Sequence, residues 1–341
     1  MRLERRPSPY TSSFALEEID VLFADGSEAA LVMKDLSPGA MDAGTRRARP
    51  AFLAEPRREI ETYRHILPHA PPGTPAWYDD GVMPSRPASR HRHPHGHRLL
   101  LERVDGHELR HVGAFSMWKR TAQWIARFHA SVPAADVDRL ARRAKLLVHD
   151  EAFYWRWLAR AQEFAARSQR SNGGGGARAR ARASAGVAAR RMRVLDRIAR
   201  GYAPVVARLA AMPRTVIHGE FYPCNVLIRG RGPRARVCPV DWELAAVGPG
   251  LIDLAALMTG WDERAQRALA RAYRAAAPRD GVREEDRRSG RLPAEFQNDL
   301  DCCRLHLAVR MLGWSDSWTP PPQHARDWLA EAAAIADRLE R

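Results

Sequence analysis

The stretch from Val216 to Leu257, VIHGEFYPCNVLIRGRGPRARVCPVDWELAAVGPGLIDLAAL, constrains the fold more than any other part of the chain. Two short apolar runs, Val226-Leu227-Ile228 and Arg236-Val237-Cys238, flank a turn rich in Gly and Pro, which is the pattern of a β-hairpin. Paired strands lie side by side, so their outer ends meet. His218, Glu220 and Asn225 are thereby expected near Asp241 and Glu243. Carboxylates and an amide oxygen gathered beside backbone turns have the composition of a divalent-metal and phosphate site.

At 341 residues and 45% hydrophobic content the chain is long enough for one large domain or two lobes. No apolar run approaches the roughly 18 residues that cross a bilayer, and MRLERRPSPY lacks the apolar centre of a signal peptide. The expectation is a cytoplasmic protein with no membrane partner. Cys224, Cys238, Cys302 and Cys303 show no metal-ligand spacing and read as reduced thiols, Cys224 as a small residue packed under a turn. Net charge is +15 and the pI about 10.6, which places nucleic acid among the partners to weigh. Much of the excess is Arg in Ala/Arg-rich stretches without interleaved aromatics, the composition of a solvated basic surface.

Along the chain, Ile19, Val21 and Phe23 alternate, Asp25-Gly26 marks a tight turn, and Ala29, Leu31 and Met33 alternate on the way back. Lys34 ends that second strand on the face opposite Leu31 and Met33. Phe52 to Leu67 carries Ile60, Tyr63 and Leu67 at helical spacing, with Glu59 and Glu61 both able to pair with Lys34. His91, His93, His95 and His97 alternate in a Pro-rich loop that reads as solvated rather than metal-binding. Leu99 to Val104 reads as a buried strand running into the connector Asp105-Gly106. Phe115 to Ala130 is a core helix, and Val137 to Ala166 continues with helical character. Ser168 to Arg193, with four consecutive glycines and Arg-Ala alternation, is expected to be a flexible insertion. Helix resumes from Val194 to Leu209 and over the C-terminal part, with Pro320-Pro321-Pro322 as a stop. No G-x-x-x-x-G-K-[ST] occurs, which excludes a Walker-type nucleotide loop.

The ordered set H-G-E-x-x-x-x-N at His218 to Asn225, V-D-W-E at Val240 to Glu243 and L-I-D-L-A at Leu251 to Ala255 resembles the catalytic segment of the aminoglycoside phosphotransferase family, relatives of choline kinases and protein kinases. The chain departs from the family pattern at Glu220, where an Asp is usual. The resemblance implies an α+β, two-lobed protein kinase-like fold. An N-terminal antiparallel-sheet lobe over residues 1–104 would bind nucleotide, and a larger, mainly helical lobe over 105–341 would carry catalysis and substrate. It implies an ATP-dependent kinase that moves the γ-phosphate to a hydroxyl of a small molecule with Mg²⁺. Glu220, Asn225 and Asp241 would be catalytic, Asn225 and Asp241 the metal ligands, and His218 a brace of the loop. Lys34 would contact nucleotide phosphates and be held by Glu59, which matches the family's R-E-x-x-x-Y-R helix. Ser12 and Ser13 would lie in the short, glycine-free loop over the nucleotide, and Glu102 at the hinge where backbone groups meet the adenine edge. His129 and Asp253 would be structural, Asp253 capping the catalytic loop.

Two other readings stay open on the sequence. Glu220 is compatible with a nucleotide-binding pseudokinase, and the Arg-rich segment with a basic nucleic-acid-associated protein. The acceptor is not specified, although a polycationic aminoglycoside fits a strongly basic chain poorly.

Overall fold

The computed structural model describes residues 1–10, 13–79, 97–171, 178–277, 292–314 and 325–340. Its first lobe is an antiparallel sheet of β1 (Arg2–Pro7), β2 (Leu16–Leu22), β3 (Glu28–Asp35), β4 (Trp77–Asp79) and β5 (Arg98–Glu102) in the order β1-β2-β3-β5-β4. The turn at Asp25-Gly26 joins β2 to β3: Gly26 sits at φ 82, and Asp25 caps it by accepting the Ser27 N–H at 3.0 Å. Ile19 and Val21 are buried as their alternation predicts, whereas Phe23 lies beyond the strand end and is exposed. Short helix α1 (Ala43–Ala48) and helix α2 (Arg58–His65) follow β3, and Glu59 of α2 is tied to Lys34 of β3. The Phe52 to Leu67 helix of the sequence reading is thus shortened at its start. Ala54 is extended and Pro56 follows it, so the helix restarts at Arg58, with Ile60, Tyr63 and Leu67 all buried.

The chain leaves the first sheet after Glu102 and enters a second at β6 (His107–Glu108). Gly106 is required in that crossing, since a Cβ there would stand 2.8 Å from the Ile228 carbonyl oxygen. Helices α3 (Phe115–His129), α4 (Ala134–Arg143), α5 (Glu151–Ser171) and α6 (Arg178–Ala211) follow, α4 and α5 being separated by β7 (Leu147–Val148). Helical character is therefore interrupted where the sequence reads as continuous. Lys145 adopts φ 54, and Asp150 restarts the helix by accepting the Phe153 N–H at 2.8 Å. Of the segment 168–193, residues 168–171 end α5 and 178–193 begin α6, while 172–177 lie outside the described residues. Ala and Arg are among the strongest helix formers, so a low-complexity Ala/Arg tract can be regular.

Next come β8 (Arg214–Ile217), β9 (Val226–Arg229), β10 (Arg236–Pro239) and β11 (Ala246–Pro249). The β9–β10 hairpin pairs Val226 with Pro239 and Ile228 with Val237, and β6 adds to its free edge. β8 and β7 flank β11 in a third small sheet. Helices α7 (Leu251–Leu257), α8 (Glu263–Ala276), α9 (Ala294–Leu312) and α10 (Trp328–Leu339) complete the second lobe. This is the two-lobed, kinase-like α+β architecture that the resemblance implies. Among the described residues no helix is long and apolar enough to cross a membrane. The histidines at 91, 93 and 95 and the proline stop at 320–322 fall outside the described residues.

Candidate active site

The loop from His218 to Asn225 hangs from a buried carboxylate. Asp253, in the first turn of α7 and fully buried, accepts the backbone N–H groups of His218 at 2.7 Å and Gly219 at 2.9 Å, and meets His129 Nε2 at 3.1 Å. His129 is fixed in turn by Tyr273 Oη at 2.8 Å. Gly219 sits at φ 82, and any Cβ there would run into the Leu244 carbonyl, so this turn is closed to other residues. Losing the carboxylate in Asp253→Ala strands two buried N–H donors and is expected to cost on the order of 3 kcal/mol. Urea denaturation should show the loss as a lower midpoint, with turnover falling as the loop loosens.

His218 braces the loop from within. Its ring is buried against Trp242, its Nε2 meets the Val240 carbonyl at 2.9 Å, and burial pulls its pKa below the ordinary value. Across the hairpin the Val240 N–H donates to the Asn225 carbonyl at 2.9 Å, which aligns Asn225 with the start of V-D-W-E. Asn225 Nδ2 donates to the Glu220 carbonyl at 3.0 Å, which holds the amide by its nitrogen. Asp241 follows at φ 66, a left-handed conformation that few residues other than Gly, Asn and Asp adopt readily.

Lys34 reaches this end of the hairpin from β3. Its Nζ lies 2.7 Å from Glu59 Oε2 and also contacts Asp241 Oδ1, so a buried ammonium is held between one carboxylate from each lobe. Burial works against its charge, yet Asp241 and Glu59 outweigh it and raise the Lys34 pKa. Burial would likewise raise Asp241, but the ammonium beside it keeps that carboxyl below the usual range. Glu59, the most deeply enclosed of the three, is pushed upward by burial. Glu61, the other candidate from the sequence, instead pairs with Arg57 at 2.7 Å and Arg64 at 3.1 Å.

Glu220 lies on the opposite side of the loop. Arg310, from α9 and 3% exposed, donates to Glu220 Oε1 at 2.8 Å and to the Gly219 carbonyl at 2.6 Å. Burial pushes the Glu220 pKa up to about 7, with Arg310 opposing and Glu243 and Asp241 adding to the rise. Glu243 joins the lobes: its carboxylate accepts from Ser13 Oγ at 3.1 Å and Arg49 Nη1 at 2.9 Å, and its carbonyl accepts from the buried Arg58 at 2.8 Å. Cys224 is a free thiol whose pKa burial pushes up to about 12, as befits a packing residue.

The structure therefore brings Lys34, Glu59 and Asp241 into contact, sets Asn225 beside Asp241 along the hairpin, and ties Ser13 to Glu243. Ser12 lies outside the described residues. Glu102 stands apart from this cluster. Its N–H donates to the Ala76 carbonyl at 2.8 Å and its carboxylate meets Arg229 and the Ala76 N–H. Arg49, Arg58 and Arg310 were not legible as site residues. The one cue was Arg310, a lone charge inside the apolar helical run Leu305 to Leu312.

Residues 24–291 match the family described as Phosphotransferase enzyme family. The chain belongs to this family. No curated protein matches it in sequence. Among solved structures, a spectinomycin phosphotransferase in complex with ADP and spectinomycin superposes with TM-score 0.58 at 10% identity, covering 99% of this chain and 93% of that one. An ethanolamine kinase of Plasmodium vivax gives 0.55 at 10% identity over 98% and 82%, and a macrolide 2'-phosphotransferase of Brachybacterium faecium 0.54 at 16% over 97% and 91%. At these identities the likeness establishes the fold. By family the chain is a phosphotransferase.

Proposed function

We propose that this phosphotransferase moves the γ-phosphate of ATP to a hydroxyl group of a small molecule with Mg²⁺, using the lobe of residues 1–104 for the nucleotide. The observation that carries the reading is the Lys34 ammonium held at 2.7 Å by Glu59 and against Asp241, because phosphoryl transfer needs fixed positive charge and a metal carboxylate at one point. Two of the structural neighbours were solved with nucleotide, the spectinomycin enzyme with ADP and an aminoglycoside 2'-phosphotransferase with GDP, which supports a nucleotide in the corresponding cleft here.

The donor set suits Mg²⁺, which takes hard oxygens and usually only one or two carboxylates. Asp241 has one oxygen on Lys34 and a second for a cation, and the Asn225 amide oxygen is a further hard donor. Among the described residues no three His, Cys, Asp or Glu side chains converge, so a dedicated all-protein cage is not built here. Bound there, the ion would neutralise charge on the phosphate oxygens. Lys34 would orient the nucleotide phosphates, and Glu220 would take the proton of the acceptor hydroxyl as its oxygen attacks phosphorus.

The reading is tested by measuring nucleotide-dependent transfer, with Mg²⁺ and either ATP or GTP, across a panel of amino alcohols, sugars and aminoglycosides. Transfer to at least one acceptor is expected; retained nucleotide binding with no transfer would defeat it. Lys34→Ala should raise the nucleotide KM about tenfold or more, since a charge-assisted phosphate contact is lost. Unchanged nucleotide kinetics in that variant would break the assigned Lys34 role.

A further inference from the structure

Arg310 is hard to explain as a packing residue. It is 3% exposed, in a helix whose neighbouring positions are apolar or neutral, and its guanidinium lies 5.9 Å from the Trp157 ring and 5.5 Å from that of Trp314. Burying a guanidinium costs stability unless its charge is matched. Two histidines share its surroundings, His306 one turn earlier on α9 and His149 before α5. Burial and Arg310 hold both neutral, His306 down to about 3 and His149 well below its ordinary value. They add no anion. Among the described residues the one carboxylate paired with Arg310 is Glu220, and its remaining Nη bond goes to the adjoining Gly219 carbonyl. Among the described residues, every side-chain hydrogen bond of this buried cation ends on Gly219 or Glu220, two consecutive residues of the loop.

The bonding is also selective within the carboxylate. Arg310 Nη2 takes Glu220 Oε1, and among the described residues Oε2 carries no hydrogen bond. A Glu side chain has one more rotatable bond than Asp, and so more freedom to lose. A guanidinium fixed by two tryptophan faces and a backbone carbonyl removes that freedom from one side. From the same backbone, an Asp carboxylate would fall short of Arg310 by about one methylene, on the order of 1.5 Å.

We propose that Arg310 is a positioning residue for phosphoryl transfer: it anchors Glu220 Oε1 so that Oε2 faces the acceptor hydroxyl, and it is the partner that allows Glu to stand where the family has Asp. This rests on Glu220 acting on the acceptor, as proposed above. In the step it serves, the acceptor oxygen forms a bond to the γ-phosphorus while the bond from that phosphorus to the bridging oxygen breaks. The bridging oxygen leaves with the electron pair on the nucleoside diphosphate, and the acceptor proton passes to Glu220 Oε2. Arg310 exchanges no proton and touches no substrate.

The test compares kcat and KM for the wild type, Arg310→Met, Arg310→Lys, Glu220→Asp and the Glu220→Asp/Arg310→Met double variant. Arg310→Met is expected to lower kcat about a hundredfold, the scale of a misplacement of roughly 1 Å, with the nucleotide KM within about threefold of wild type. Arg310→Lys should recover about tenfold of that loss, because the charge is kept while the two-pronged geometry is not. With Asp at 220 the same Met substitution should cost less than about threefold, since the shorter carboxylate no longer depends on Arg310. An equal loss in both backgrounds, or wild-type kcat in Arg310→Met, would overturn the proposal and leave Arg310 as a tether of the Gly219 carbonyl. If Arg310→Met does not fold, Arg310→Lys decides: a kcat loss with unchanged nucleotide KM supports the anchor, and full kcat overturns it. A wild type that transfers phosphate to no acceptor would defeat the functional reading itself. The pairing is then read from the urea midpoints of Glu220→Gln, Arg310→Lys and their double variant, where coupling supports the anchor and additivity overturns it.

Discussion

Replacing Asp241 by Asn is expected to lower Mg²⁺-dependent turnover by about a hundredfold to a thousandfold, the range over which single preorganised electrostatic groups act. The substitution is unusually clean. Asp241 occupies φ 66, and Asn is one of the few residues that adopts this conformation readily, so the turn before Trp242 should survive. Lys34 keeps its 2.7 Å contact with Glu59 and loses only the partner from the second lobe. What disappears is the carboxylate charge that holds a hard cation. Nucleotide binding measured in EDTA should change little, because it depends on Lys34 rather than on the ion, whereas binding measured in Mg²⁺ should weaken. Near-normal turnover in Asp241→Asn would place the metal on other residues.

Parts of this site were readable because they obey short-range rules. The β9–β10 hairpin follows from two apolar runs around a Gly/Pro turn, and pairing alone brings Asn225 to the same end as Asp241. The Lys34–Glu59 pair was readable only with the family resemblance: alternation puts Lys34 at the end of β3, and the R-E-x-x-x-Y-R match picks Glu59 over Glu61. Glu59 and Glu61 were not separable by spacing; only the tertiary placement of α2 turns Glu59 inward. The arginines that complete the site obey no local rule. Arg49, Arg58 and Arg310 lie far apart in the chain and meet the loops on either side of the hairpin, at Glu243 and at Gly219-Glu220, over sequence separations that no pattern encodes. The Ala/Arg tract is legible by a local rule as well. The glycine run at 173–176 masks the helix-forming Ala/Arg composition after it, and α6 extends from Arg178 to Ala211.

Glu220→Gln is expected to lower kcat/KM by about a hundredfold to ten-thousandfold, the contribution of a positioned general base, while Glu220→Asp should lose about a hundredfold or less through misplacement alone. Full activity in the Gln variant would show that Glu220 is no base. The pH dependence separates the two roles further. Burial raises the Glu220 pKa to about 7 from its ordinary value of 4.5; Arg310 holds it from rising higher, and Glu243 and Asp241 push it up. A base must be unprotonated to act, so wild-type kcat/KM should fall as pH drops through about 7, and the Gln variant should lack that limb. Folding stability responds in the other sense. Because the folded state binds this proton more tightly than the unfolded chain, the group's favourable contribution is complete below 4.5 and is lost as pH rises through about 7. Between those values Glu220 trades stability for the charge its chemistry needs. Glu220→Gln should therefore flatten both profiles over the same window, a coincidence that replacing a carboxylate elsewhere on the surface would not produce.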